Sequence, residues 1–149
     1  MDTRKDSDYI LRCFELARKG QGKVEPNPIV GCVIVRDNKI LSEGYHEYFG
    51  GPHAEANAIN NAGVNLEGST LYCNLEPCCH TNKKTPPCVP LIIKNRIKKV
   101  VISSIDPNPQ VNGKGIEELR QAGIEVIVGI LDNESKELNK NYFESFKNV

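Results

Sequence analysis

Two segments of the sequence carry its candidate metal-binding side chains: His53-Ala54-Glu55 and Pro77-Cys78-Cys79-His80-Thr81-Asn82-Lys83-Lys84-Thr85-Pro86-Pro87-Cys88. A histidine and two cysteines form a ligand set that suits zinc. Three protein ligands leave the fourth tetrahedral position open, as in a catalytic zinc site. Glu55 follows His53 by two residues and can move protons, because it is not needed as a ligand. The two segments therefore predict a catalytic zinc centre.

A closed structural zinc site is the alternative interpretation of the same residues. Such a site needs a fourth protein ligand, and the second segment offers Cys79 and His80 for that role. It would have no use for Glu55. Taken alone, the two segments leave both interpretations open.

The composition limits the classes of protein to which the chain can belong. Its 19 basic and 19 acidic residues cancel, so net charge gives no reason to expect a nucleic-acid partner. Aromatic residues make up 6% of the chain and Trp is absent, which argues against a surface for stacking bases. The sequence has no apolar run near the ~20 residues of a membrane span and no signal-peptide pattern at its N-terminus. Its six cysteines are therefore predicted to be reduced, and the location cytoplasmic.

Short apolar runs alternate with amphipathic segments along the chain. Runs rich in Val and Ile predict strands, at 29–36, 40–45, 69–74, 99–103 and 125–128. Apolar residues at helical spacing predict helices, at 7–20, 53–62, 88–95, 116–122 and 133–146. The first two strands follow one another directly, so their pairing should be antiparallel and the sheet mixed. We expect one domain over 1–149, a three-layer α/β/α sandwich around a mixed five-stranded sheet.

Polar residues stand in the loops around these predicted strands. Asn27 lies between two prolines just before the first strand, and His46 follows the second. Asp106 and Asn108 belong to an Asp-Pro-Asn-Pro turn after the fourth strand, where open α/β sheets bind ligands. The segment Asn112-Gly113-Lys114-Gly115 precedes a helix and could hold a phosphate, although two glycines are a weak signal.

Six blocks of sequence occur in a specific order: Pro26-Asn27-Pro28-Ile29-Val30-Gly31, Gly44-Tyr45-His46, Gly51-Pro52-His53-Ala54-Glu55, Leu75-Glu76-Pro77-Cys78, Thr85-Pro86-Pro87-Cys88, and Asp106-Pro107-Asn108-Pro109 followed by Val111, Gly113 and Gly115. His-x-Glu with a later Pro-Cys segment is the signature of zinc deaminases. Together, the blocks closely resemble the deaminase domain of the bacterial bifunctional riboflavin-biosynthesis deaminase/reductase. The resemblance covers nearly the whole chain.

This resemblance implies a cytidine-deaminase-like fold with zinc as cofactor. It implies hydrolytic deamination of 2,5-diamino-6-ribosylamino-4(3H)-pyrimidinone 5′-phosphate to 5-amino-6-(5-phosphoribosylamino)uracil and ammonia. The partner would then be a small phosphoribosyl-pyrimidine, not nucleic acid or a membrane. The implied zinc ligands are His53, Cys78 and Cys88, and the implied proton shuttle is Glu55. The implied substrate contacts are Asn27, His46, His80, Lys84, Asp106 and Asn108.

The chain departs from the family pattern in two places. Nine residues separate Cys78 from Cys88, one more than the family usually has, so Cys79 is a rival zinc ligand. We favour Cys78 because it directly follows Leu-Glu-Pro, and a loop absorbs an extra residue easily. The chain also stops where the family continues into a reductase domain. A stand-alone deaminase and a fragment of a longer protein are both compatible with the sequence.

Two other functions compete with riboflavin-intermediate deamination. A deaminase acting on another nucleobase, a nucleoside or tRNA is the nearest rival enzyme. A nucleic-acid substrate would call for a groove of basic and aromatic residues, and this neutral chain offers only scattered lysines. A structural zinc module without catalysis is the rival from another class. The oligomeric state stays open, although small deaminases similar to this chain often pair.

Overall fold

A computed structural model describes residues 5–79 and 87–147 of the chain. Five strands are present, β1 Gly31–Arg36, β2 Lys39–Tyr45, β3 Thr70–Leu75, β4 Lys99–Ser104 and β5 Glu125–Val128. The helices are α1 Asp6–Arg18, α2 Ala54–Asn61, α3 Cys88–Lys94, α4 Lys114–Gln121, α5 Asp132–Leu138 and α6 Lys140–Glu144. Across the described ranges, no helix has the length and apolar character needed to cross a membrane.

The strands form one mixed sheet in the order β2-β1-β3-β4-β5. β1 runs antiparallel to both of its neighbours, β2 and β3. β3, β4 and β5 run parallel to one another. The predicted antiparallel first pair and the mixed five-stranded sheet are confirmed.

Successive side chains along each strand point to opposite faces of the sheet, and each face carries a hydrophobic core. Cys32 and Ile34 of β1 belong to the larger core, which they share with apolar residues of α2, α3 and α4. Val33 and Val35 lie on the opposite face and pack with Phe14 and its neighbours in α1. Helices therefore cover both faces, and the predicted three-layer α/β/α sandwich is confirmed.

Helix α2 lies unusually close to strand β2. Ala54 and Ala58 are fully buried in the core, and Gly44 lies directly beneath them. A Cβ atom at Gly44 would collide with the backbone of both alanines. Small residues on both elements therefore hold the first turn of α2, which carries Glu55, against the sheet.

The C-terminal segment differs from the single helix predicted over 133–146. It contains two helices, α5 and α6, with Asn139 between them at φ −115° and ψ 38°. The Asn139 side chain clamps the backbone of Ile29: its Oδ1 accepts the Ile29 N–H and its Nδ2 donates to the Ile29 carbonyl, each at 2.8 Å. The first strand also begins later than predicted, at Gly31, because Ile29 makes this clamp instead of pairing within the sheet.

Candidate active site

The sheet topology brings the candidate site residues to one edge. β3 and β4 are parallel, so Cys78 after β3 and Asp106 after β4 emerge at the same edge. β1 is antiparallel to β3, and Asn27 lies in the loop that enters β1 at this edge. β2 is antiparallel to β1, which brings His46 to the same place. Four separate loops therefore converge here.

His53, Cys78 and Cys88 form a cluster at this edge, and their candidate ligand atoms lie within 4.8 Å of one another. Cys78 Sγ lies 3.5 Å from His53 Nδ1, and Cys88 Sγ lies 3.7 Å from it. Tetrahedral zinc, with Zn–S of about 2.3 Å and Zn–N of about 2.1 Å, would separate a nitrogen from a sulfur ligand by about 3.6 Å. Both the donor set and its spacing fit zinc, with Nδ1 as the histidine ligand atom.

The local backbone fixes this cluster. His53 is the N-cap residue of α2 and so sits where that helix meets the sheet edge. The Cys78 carbonyl accepts the N–H groups of Cys88 and Val89, each at 3.1 Å, which ties the start of α3 to the end of β3. The Cys88 N–H also donates to Cys78 Sγ at 3.2 Å. This contact fixes the Cys78 Sγ atom beside the start of α3.

Cys79 has different surroundings from Cys78. Its Sγ lies 3.8 Å from the carbonyl oxygen of Gln110, and within the described residues it is not a member of the ligand cluster. Burial, together with the nearby Glu118 carboxylate, raises the pKa of the Cys79 thiol and so disfavours its thiolate form. The geometry therefore favours Cys78 over Cys79, and the choice of ligand stays a prediction until zinc is measured.

A cavity of about 590 Å³ opens beside the cluster, and Glu55, His53 and Cys78 are among its lining residues. This volume is within the range of small-molecule sites, about 300–1,000 Å³. Glu55 lies in the first turn of α2 and is 3% exposed. Glu55 therefore lines the same cavity as His53 and Cys78 of the ligand cluster, where proton exchange with a bound molecule is feasible.

His46 and Asn27 form one wall of this cavity. The Nδ1 atom of His46 lies 3.0 Å from the carbonyl oxygen of Pro52, and its Nε2 atom lies 3.2 Å from Nδ2 of Asn27. A carbonyl only accepts hydrogen bonds, so Nδ1 donates to Pro52 and Nε2 is the atom that pairs with the Asn27 amide. This arrangement fixes the orientation of the Asn27 side chain.

Asp106 and Asn108 form another wall. Asp106 Oδ1 accepts the Asn108 N–H at 3.0 Å and the Tyr142 hydroxyl at 2.7 Å. Burial raises the pKa of the Asp106 carboxyl to about 6, although these two hydrogen bonds oppose the shift. The turn after β4 thus presents an acidic group of near-neutral pKa to the cavity, as the position of the turn at a strand end predicts.

A family model described as the cytidine and deoxycytidylate deaminase zinc-binding region matches residues 3–104. This chain belongs to that family. The match includes the whole ligand cluster and Glu55. It ends before the turn at Asp106, so the wall formed by Asp106 and Asn108 lies outside the part of the chain that the family model matches.

Individual deaminase relatives match almost the whole chain. The riboflavin biosynthesis protein RibD of Actinobacillus pleuropneumoniae is 52% identical over 141 residues, which are 95% of this chain and 37% of that protein. The diaminohydroxyphosphoribosylamino-pyrimidine deaminase of Buchnera aphidicola from Schizaphis graminum is 49% identical over 96% of this chain and 97% of its own length. The chain therefore spans little more than a third of the RibD relative but nearly all of the shorter deaminase.

A solved structure agrees with this assignment to the deaminase family. The Thermotoga maritima diaminohydroxyphosphoribosylaminopyrimidine deaminase/5-amino-6-(5-phosphoribosylamino)uracil reductase superposes with a TM-score of 0.91 at 49% identity. The superposition covers 96% of this chain and 41% of that chain. The deaminase fold predicted from the sequence is thereby confirmed.

Glu76 lines the same cavity as Glu55, and its motif alone does not predict a role for it. Its carboxylate is 3% exposed and accepts the backbone N–H groups of Asp106, Gly113 and Ile116 at 2.9–3.1 Å. The weak signal that 112–115 could hold a phosphate gains no support, because Glu76 accepts the N–H groups of Gly113 and Ile116 at the start of α4. The signal for Glu76 was its position directly after a strand, beside Pro77 and Cys78.

Tyr142 is a second residue whose role sequence reasoning missed. Leu138, Tyr142, Phe143 and Phe146 are spaced as the apolar stripe of the single helix predicted over 133–146. Tyr142 and Phe146 line the cavity of the deaminase, and the Tyr142 hydroxyl donates to Asp106. A tyrosine in an otherwise apolar stripe was the available signal, because a buried hydroxyl needs a hydrogen-bond partner.

Two predicted substrate contacts, His80 and Lys84, lie outside the described residues. They remain predictions based on the resemblance. The other four, Asn27, His46, Asp106 and Asn108, line one cavity with His53 and Cys78 of the ligand cluster.

Proposed function

We propose that this chain catalyses the zinc-dependent hydrolytic deamination of 2,5-diamino-6-ribosylamino-4(3H)-pyrimidinone 5′-phosphate in riboflavin biosynthesis. The products are 5-amino-6-(5-phosphoribosylamino)uracil and ammonia. One observation carries the proposal: His53, Cys78 and Cys88 form a ligand cluster, and His53 and Cys78 line the same cavity as Glu55. The likeness to a deaminase of matching length supports the choice of substrate. The reductase activity in the name of the Thermotoga protein is not proposed for this chain.

His53 Nδ1 and the thiolates of Cys78 and Cys88 would hold the zinc ion. Their spacing matches that of tetrahedral zinc ligands. Zinc bound there supplies Lewis-acid activation of the attacking water. Two thiolates balance the charge of Zn²⁺, so a further base has to take part in removing a proton from that water.

Glu55 is proposed as that base. Its carboxylate accepts a proton from water as the water oxygen bonds to the amino-bearing ring carbon. The same carboxyl group then returns the proton to the adjacent ring nitrogen, and a second proton passes from the added hydroxyl to the amine. The carbon–nitrogen bond breaks, ammonia leaves, and a ring carbonyl remains. Enclosure of Glu55, which is 3% exposed, keeps these protons from exchanging with bulk water.

Asn27, His46, Asp106 and Asn108 are proposed to hold the substrate. They lie on loops at the same sheet edge as the ligand cluster and line the same cavity. Their side chains offer amide, imidazole and carboxylate groups suited to the polar groups of a ribosylated pyrimidine. Contacts away from the reacting carbon fix the ring in the attack geometry, which lowers the entropic barrier to reaction.

The test is ammonia release by the purified, zinc-loaded protein. We expect turnover of the riboflavin intermediate and none of cytidine, guanine or a tRNA anticodon stem. Chelation of the metal should abolish turnover, and added zinc should restore it. Turnover of one of the other substrates in place of the riboflavin intermediate would assign a different deaminase activity. Stoichiometric zinc without any turnover would support the structural zinc module.

A further inference from the structure

The two oxygens of the Asp106 carboxylate have different surroundings. Oδ1 accepts hydrogen bonds from the Asn108 N–H and the Tyr142 hydroxyl. Oδ2 receives no hydrogen bond from the residues in 5–79 and 87–147. Asp106 lines the cavity and is 7% exposed. Because Asp106 lines the cavity and its Oδ2 has no donor within these ranges, Oδ2 is suited to accept a hydrogen bond from a molecule bound in the cavity.

Tyr142 is itself held in place from two sides. Its ring makes edge-to-face contacts with Phe146 and Phe143, with centroids 5.2 and 6.0 Å away. Three residues earlier, the Asn139 side chain clamps the segment to the backbone of Ile29. The hydroxyl therefore meets Asp106 from a fixed direction, and the carboxylate plane cannot rotate freely about its last torsion.

We propose that Tyr142 is a positioning residue of the deaminase site. Its hydroxyl orients the Asp106 carboxylate, and Asp106 Oδ2 then accepts a hydrogen bond from a hydroxyl or amine of the substrate. The inference rests on the proposed function and adds a residue to it. Tyr142 lies outside the part of the chain that the family model matches.

The charge of Asp106 determines which part of the substrate this contact can recognise. An ionised carboxylate accepts from O–H and N–H groups and repels a phosphate. Asp106 is therefore expected to select the portion of the substrate that carries hydroxyl or amine donors. Without the Tyr142 hydroxyl, Oδ1 keeps only the Asn108 N–H as a donor, so the carboxylate is less firmly oriented and the substrate must restrain it further on binding. We expect weaker substrate binding with a smaller change in the chemical step.

The experiment compares Tyr142→Phe with Tyr72→Phe as a matched control. The Tyr72 hydroxyl donates to Asp6 at 2.8 Å, an equivalent tyrosine–aspartate pair that is not in the cavity. Tyr142→Phe is also made in an Asp106→Ala background, and in Asp106→Asn if the alanine variant does not fold. For each variant we would measure kcat, KM, zinc content, and the calorimetric Kd for the uracil product.

Tyr142→Phe should raise KM and Kd by about tenfold, since a hydrogen bond to a charged group is lost, and leave zinc content unchanged. Tyr72→Phe should alter neither constant. In the Asp106→Ala background, Tyr142→Phe should have almost no further effect, because it acts through Asp106. Unchanged constants in Tyr142→Phe, or effects that add in the double variant, would overturn the inference. A wild-type protein that neither turns over nor binds these pyrimidines would overturn the proposed function, and the inference with it.

Discussion

The Glu76 carboxylate accepts the backbone N–H of Asp106, with Oε1 3.1 Å from the nitrogen. The same oxygen accepts the Gly113 N–H at 2.9 Å, and Oε2 accepts the Ile116 N–H at 3.1 Å. One buried side chain at the end of β3 therefore joins the turn after β4 to the start of α4. The position of Asp106 in the cavity depends on this side chain.

Glu76→Gln should lower both stability and activity. The amide keeps one acceptor oxygen and turns an NH₂ group toward backbone donors, so at least one buried N–H loses its partner. That loss costs about 1–3 kcal/mol, and each kcal/mol corresponds to about 2–4 °C in the Tm of a domain this size. Thermal unfolding and kcat/KM would be measured. The control is Glu67→Gln, since Glu67 is exposed and pairs with Arg96 at 3.4 Å; equal effects in the two variants would contradict this role for Glu76.

The members of the ligand cluster were predictable because each lies in a short recognisable motif, although His53 and Cys88 are 35 positions apart and their meeting was expected from the family resemblance. His53 and Glu55 are two residues apart at the start of a helix, and Cys78 and Cys88 flank one short segment between a strand and a helix. Strand and helix order followed from hydrophobic periodicity in the same way. Each motif, strand and helix depends on residues that are close together in the chain.

Long-range side-chain hydrogen bonds explain two features that the sequence did not predict: the break between α5 and α6, and the contact of Tyr142 with Asp106. The clamp between Asn139 and Ile29 joins residues 110 positions apart and separates α5 from α6. The bond between Tyr142 and Asp106 spans 36 positions. Periodicity carries no information about such pairs, so an apolar stripe predicted one continuous helix and no role for the tyrosine hydroxyl.

Glu55→Gln should keep the fold and the zinc but lose most turnover. Glutamine has nearly the same shape as glutamate and cannot carry a proton between water and the substrate. General acid–base groups contribute about 10²–10⁴-fold to the rate, so kcat should fall within that range. Zinc content and Tm are measured on the same sample. The control is Glu118→Gln on the exposed face of α4, and near-normal turnover by Glu55→Gln would remove Glu55 from the mechanism.

The pair between Arg12 and Glu43 should make stability depend on pH. The Arg12 Nε and a terminal nitrogen donate to the two oxygens of Glu43 at 2.7 and 2.9 Å. This bidentate pair lowers the pKa of Glu43 in the folded state. A lowered pKa gives stability that is present above the unfolded value, about 4.3, and is lost as the pH falls through the folded pKa.

Glu43→Gln should therefore have a lower Tm than the wild type at pH 7, by about 2–4 °C if the pair contributes about 1 kcal/mol. The difference should shrink as the pH falls below 4 or so, where the wild-type carboxylate is protonated as well. Glu15→Gln is the control, because Glu15 contacts Arg12 through one longer bond of 3.5 Å and is 63% exposed. A Tm difference that stays constant across the acid range would contradict this interpretation.

Cys78 and Cys79 are adjacent, and zinc content should show which of them is the metal ligand. Cys78 Sγ lies 3.5 Å from His53 Nδ1, whereas the neighbouring Cys79 Sγ lies 3.8 Å from a backbone carbonyl. Removal of one thiolate from a three-residue cluster leaves two protein ligands, which is too few to retain Zn²⁺ tightly. Cys78→Ser should therefore lose zinc and activity together, and Cys79→Ser should keep both.

Zinc stoichiometry of the two purified variants, measured by elemental analysis, decides between the alternatives. Cys88→Ser serves as the positive control for loss, since Cys88 Sγ lies 3.7 Å from the same imidazole nitrogen. Loss of zinc in Cys79→Ser beside full occupancy in Cys78→Ser would assign the ligand to Cys79. Loss in both variants would mean that both thiolates bind the metal, and the open coordination position that deaminase chemistry requires would then be filled by protein.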